Sequence, residues 1–250
     1  MNRFSLALAL VAVFLVGCGD DKTTNPPPSA YRDLVIHLQD MVPHVGQLME
    51  FRVVSTTDSL RTRFVVDPLP SAGADFAVRS AVLDGSHRLD FFADLNGNGN
   101  YNPPPADHAW RLNLPDTGVA EVTFAHNTDF TDIATPATIP LGNEFRLSLT
   151  GFTPHLGQLM EFKVVHVASG RTVGQYRLDS LEGADFDVVI EGIIENEAQY
   201  RVDFYADFNN NDSYNSPPTD HAWRITGTGD ANGLHLSFQH NTNFTDINWE

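Results

Sequence analysis

The sequence predicts an all-β protein: two tandem immunoglobulin-like/transthyretin-like seven-stranded β-sandwich domains after a lipoprotein signal peptide. Three observations carry that expectation. Phe91 to Leu112, FFADLNGNGNYNPPPADHAWRL, returns as Phe204 to Ile225, FYADFNNNDSYNSPPTDHAWRI, and two more blocks recur in the same order. PHVGQLMEFRVV from Pro43 matches PHLGQLMEFKVV from Pro154, and FAHNTDFTDI from Phe124 matches FQHNTNFTDI from Phe238. The spacing between copies grows from 111 to 113 to 114 residues along the chain, so they differ by small loop insertions. Second, short alternating apolar runs separated by Gly, Pro, Asn and Asp fill both copies, which is strand and turn chemistry. Third, the first residues read as an export leader.

That leader comes first in the chain. Arg3 precedes an apolar run from Leu6 to Val16, then Leu15-Val16-Gly17-Cys18, which reads as a lipobox. The run is too short for a comfortable membrane span, so residues 1–17 are expected to be removed and the lone cysteine, Cys18, lipidated. No disulfide is then available. Residues 18–32, with Asp20, Asp21 and Pro26 to Pro28, read as a solvated tether, and Gly19 favours the outer membrane or cell surface.

The first repeat occupies residues 33–133. Strands are expected near Leu34 to Asp40, Leu48 to Thr56, Leu60 to Asp67, Asp75 to Leu83, His87 to Ala93, His108 to Leu114 and Val119 to Thr128. Seven short strands in about 100 residues indicate a sandwich. Residues 134–143 form a short linker, which sets the modules end to end, and residues 144–250 repeat the first module.

Composition narrows the function. With 15 Lys and Arg against 32 Asp and Glu, the formal charge is −17, which argues against nucleic acid and for cations as partners. No Ser or Cys nucleophile stands beside a retained histidine in a recognisable frame, so an enzyme is not expected.

Six of the ten histidines form matched pairs: His44 with His155, His108 with His221, His126 with His240. His37, His87, His166 and His235 have no counterpart. Strand alternation turns His108 inward with Trp110, and His126 inward with Val122 and Phe124. A hairpin between the sixth and seventh strands, symmetric about Thr117, would set His108 opposite His126. Strand parity brings His44, in the first loop, to the same end. His155, His221 and His240 repeat the arrangement, with Met49 and Met160 nearby. Three imidazoles suit Zn or Cu, and a thioether would favour copper. Gln47, Glu50, Asp107 and Asn127, with Gln158, Glu161, Asp220 and Asn241, are candidates to orient the rings.

Asp94, Asn96, Asn98 and Asn100 follow the 1, 3, 5, 7 spacing of calcium loops, as do Asp207, Asn209, Asn211 and Ser213. Over about a dozen residues this resembles an EF-hand or dockerin loop. It departs in lacking a preceding helix and a Glu at position 12, and in replacing Gly99 by Asp212. Asp107 and Asp220 are candidates for the missing carboxylate. The resemblance implies calcium, bound weakly. The sequence therefore predicts a non-enzymatic, lipid-anchored envelope protein whose modules each bind a cation. The alternative is a surface adhesion or carbohydrate/protein-binding module in which these residues are structural; Tyr101 and Tyr214 would then be candidate contacts.

Overall fold

A computed structural model describes residues 31–56, 60–133 and 142–249. The leader, Cys18, the tether up to residue 30 and linker residues 134–141 lie outside the described residues. Repeat 1 comprises β1 (Tyr31–Gln39), a 3-10 turn (Val42–His44), β2 (Met49–Ser55), β3 (Leu60–Asp67), β4 (Ala74–Leu83), β5 (His87–Ala93), β6 (His108–Asn113) and β7 (Ala120–Ala125). Repeat 2 comprises β8 (Asn143–Thr150), a 3-10 turn (Thr153–His155), β9 (Met160–His166), β10 (Arg171–Leu178), β11 (Phe186–Ile194), β12 (Gln199–Ala206), β13 (His221–Thr228) and β14 (Leu234–Gln239). The expected strands all form, those at β3 and β5 with the expected bounds.

Each repeat is a two-sheet sandwich. The small sheets run β4-β1-β7 and β11-β8-β14, with β1 parallel to β7 and β8 parallel to β14. This partition differs from the ABED and CFG sheets of immunoglobulin constant domains. Two expectations are corrected here. First, β6 and β7 do not form a hairpin: β6 pairs with β5, whereas β7 pairs with β1 in the opposite sheet. The residues between Pro115 and Gly118 carry the chain from one sheet to the other. The physical reason is burial, because Trp110 and Phe124 face each other across the interior instead of lying side by side in one sheet.

Second, the repeats are not end to end. They share one eight-stranded sheet, β13-β12-β9-β10-β3-β2-β5-β6, joined by parallel pairing of the equivalent strands β10 and β3. Phe64, a core residue of repeat 1, sits beside Gln175, while Tyr176, packed on the core of repeat 2, sits beside Val65. Neighbouring side chains in a sheet share a face. The two cores therefore lie on opposite faces of the common sheet, related by a near two-fold axis along the strands. Each small sheet overlaps the other repeat's edge, β4 over β10 and β11 over β3. Arg63 donates to the Glu191 carbonyl at 2.7 Å and Gln175 to the Ala77 carbonyl at 3.4 Å across these contacts.

An axis along the strands leaves both repeats pointing the same way. The turns ending at His44 and His155 and the loops after β5 and β12 all emerge at one end. The described chain enters at Tyr31, at the other end.

On the sheet face away from each core, buried charges are paired. Asp90, 0% exposed, accepts from Arg111 at 2.6 and 2.9 Å and from Arg88 at 3.1 Å; Asp203 is held likewise by Arg224 and Arg201.

Candidate metal centres

In each repeat the 3-10 turn, the start of the sixth strand and the end of the seventh converge. Pro43 and Pro154 occupy the first turn of their 3-10 elements, where a missing N–H costs nothing. The turns bury His44 and His155 completely, at 0% exposure. His108 and His221 face inward one pair-step from Trp110 and Trp223, and are half-buried. His126 and His240 continue β7 and β14, their N–H groups donating to the carbonyls of Gln39 and Thr150 at 2.9 and 2.8 Å.

The ligating atoms of each triad lie within 4.8 Å of one another. His44 Nε2 is 3.4 Å from His108 Nδ1; His155 Nε2 is 3.4 Å from His221 Nδ1 and 3.1 Å from His240 Nε2. Zn–N bonds of about 2.0–2.1 Å at tetrahedral angles require N···N separations of roughly 3.3 Å. Both triads could hold a metal, the second with two of its three separations already near that value and the first with one. His126 Nε2 is buried without a hydrogen-bond partner, an orphan of the sort that buried polar atoms seldom tolerate.

Gln47 and Gln158 set the tautomer. Their amide oxygens lie 2.9 and 2.8 Å from Nδ1 of His44 and His155, and Gln47 Nε2 donates to the Pro43 carbonyl. The oxygen faces the ring, so Nδ1 carries the proton and Nε2 presents its lone pair to the other two histidines. Burial pushes His44, His108, His155, His221 and His240 below the ordinary imidazole value, with neighbouring imidazoles adding to the effect at all but His240. These rings are neutral at pH 7, as metal ligands must be.

Aromatic walls fix the rings. His44 meets the edge of Trp110 at 5.5 Å, and Trp110 Nε1 donates to the Asn127 carbonyl at 3.1 Å. His108 stacks on Phe130 at 3.9 Å, and His221 stacks between Phe244 at 4.0 Å and Phe208 at 4.5 Å. Phe130 and Phe244 were not singled out from sequence, although both stand inside a repeated block.

The other ring-orienting candidates have different work. Glu50 lies on the far face of β2, paired with Arg52 and Arg63, and Glu161 binds Arg177 and Tyr205. The Asn127 side chain caps its own turn by accepting the Asp129 N–H. Met49 and Met160, fully buried, share a cross-strand row with His108 and His221, with Ala93 and Ala206 between.

The Asx loops hold themselves together. Asp94 accepts the N–H groups of Gly97, Asn98 and Gly99 at 2.8, 3.3 and 2.6 Å; Asp207 accepts those of Asn211 and Asp212. Asp107 accepts Leu95 and Asn102 N–H, and Asp220 those of Phe208 and Asn215. Asn96 and Asn98 both donate to the Asn102 side chain, as Asn209 and Asn211 do to Asn215. Asn98 and Asn211 cap the N–H groups of Asn100 and Ser213. Asp212 can stand where the first repeat has Gly99: Gly97 and Gly99 have φ of +67° and +73°, and Asn210 and Asp212 take the same region at +56° and +60°. Asn and Asp are the non-glycine residues most at ease there.

Tyr101 and Tyr214 are engaged too, donating to Asp132 and Asp246 at 2.7 Å and accepting Ile133 and Ile247 N–H.

No family model and no curated protein matches the sequence. Solved structures with some likeness include the Bacillus anthracis TIE protein (12% identity, TM-score 0.24, covering 84% of this chain and 34% of that one). The fimbrial anchor protein Mfa2 from Porphyromonas gingivalis gives 9% identity and a TM-score of 0.27 over 70% of this chain and 77% of that one. A candidate cell adhesion protein from Bacteroides eggerthii gives 8% and 0.27 over 87% and 89%. This chain spans about a third of the first protein's length.

Proposed function

We propose that this chain is a non-enzymatic, lipid-anchored protein of the cell envelope whose two sandwiches each bind one Zn or Cu ion on three imidazoles. The anchor rests on the leader and Cys18. The observation that carries the metal reading is the convergence of three ring nitrogens within 4.8 Å of one another in both copies, with a separation of 3.4 Å in the first and of 3.1 and 3.4 Å in the second. All-nitrogen donors suit either metal. The competing adhesion reading would treat the same histidines as structural braces. Against it stand Trp110 and Trp223, each 2% exposed, and Tyr101 and Tyr214, tied to Asp132 and Asp246, so none offers a free aromatic platform.

Elemental analysis of untagged protein, with thermal melts in Zn, Cu, Ca and EDTA, tests the proposal. Two Zn or Cu per chain are expected, lost in a His108→Ala/His221→Ala variant that still folds. A folded protein with no metal and no response to Zn or Cu would favour adhesion. Calcium at the Asx loops, if taken with the roughly 0.1–1 mM affinity of extracellular modules, would raise the melting temperature only in millimolar Ca.

A further inference from the structure

We infer that each centre keeps an open fourth coordination position that takes a neutral, heteroaromatic nitrogen donor carried on an apolar body. This rests on the metal reading above. Three observations support it.

The protein offers three nitrogens per centre. Among the described His, Cys, Asp and Glu, only these histidines cluster. Asp107 and Asp220, next in sequence to His108 and His221, are turned into their loops as acceptors of backbone N–H groups. Three protein ligands with a fourth place free is the pattern of zinc sites that exchange ligands, whereas structural sites are closed.

The rim around the centres is apolar and exposed. Among the described residues, five of the seven exposed large hydrophobic side chains lie here: Val42, Val45 and Leu95 at the first centre, Leu156 and Phe208 at the second. Val45 and Leu156 directly follow His44 and His155, and Phe208, 46% exposed, stacks on His221. Concentration at one end, away from chain entry at Tyr31, marks a binding surface more than scattered exposure would.

Charge selects the donor. The chain carries −17, and buried Asp94 and Asp107 stand in the adjoining loop of repeat 1, as Asp207 and Asp220 do in repeat 2. An anionic ligand would approach against that field, while an uncharged nitrogen donor would not.

The test uses the untagged full chain loaded with Co(II), whose visible bands report coordination, titrated with imidazole, 4-phenylimidazole and azide. Imidazole is expected to shift the bands, 4-phenylimidazole to bind on the order of tenfold more tightly by burying its ring against the rim, and azide to bind more weakly than imidazole. A Val45→Ser/Leu156→Ser variant should bind cobalt normally but reduce the phenyl preference to below about threefold. Cobalt bands that no probe moves would mean a closed site and overturn the inference, with Met49→Leu/Met160→Leu testing whether sulfur closes it. Equal affinity for the two imidazoles, or tighter azide, would overturn the assigned ligand class. Failure to bind cobalt at all removes the metal reading itself, and the inference with it.

Discussion

Replacing Gln47 by Ala tests whether the imidazoles are preset for a metal. His44 is fully buried, and its Nδ1–H donates to Gln47 at 2.9 Å. Without that oxygen a buried donor is left unsatisfied, at about 1–3 kcal/mol. For a chain of this size each kcal/mol lowers the melting temperature by roughly 2–4 °C. The ring is also freed to flip or to take the other tautomer, which puts a proton on the ligating nitrogen. Loss of such an orienting partner weakens metal binding about 10–100-fold, or roughly 1.4–2.7 kcal/mol. Calorimetric Zn titration of Gln47→Ala should therefore show one weakened site and one unchanged, with Gln158→Ala reversing the roles. Gln47→Glu, which keeps an acceptor oxygen, should restore most of the affinity. If Gln47→Ala destabilises the metal-free protein while both sites keep full affinity, the glutamine only satisfies a buried group and the reasoning fails.

Metal-free protein should lose stability as pH falls below about 6.5, because His44, His108, His155, His221 and His240 bind protons less readily folded than unfolded. Above that pH these rings are neutral in both states and contribute no slope; urea melts from pH 8 to 5 would show it, and a His44→Phe/His155→Phe variant should flatten the fall. Asp90→Asn should cost about 1–3 kcal/mol in urea unfolding by weakening the hydrogen-bonded pairing with Arg88 and Arg111, yet spare Zn affinity, since Asp90 faces away from the core. Residues 31–133 alone should self-associate through the bared edge of β3 in light scattering, and Val65→Lys should return them to monomer; a monomeric, fully stable single repeat would contradict the shared sheet.

Much of this was legible in the chain. Duplication and period-two alternation gave every strand, and parity placed His44, His108 and His126 at one end. What failed was pairing. Inward-facing residues of consecutive strands meet either side by side or across a sandwich, and alternation cannot tell the two apart: a β6–β7 hairpin and the observed pairing of β6 with β5 and β7 with β1 both bring His108 near His126. The seam had a signal: Phe64, Val65 and Val66 run apolar without alternation, as a strand covered on both faces does. Adjacency to His108 makes Asp107 a candidate ring partner in the sequence, but it does not tell which way a carboxylate turns at a strand's start, and Asp107 accepts the Leu95 and Asn102 N–H groups of its own loop.

The common sheet also couples the two halves thermodynamically. β3 and β10 each wall their own core with one face and lie under the other repeat's small sheet with the opposite face, so neither sandwich can unravel without stripping a cover from its twin. Melting should then be a single cooperative transition. An ion held in one centre would protect both halves by mass action, even though the native affinities of the two centres remain independent.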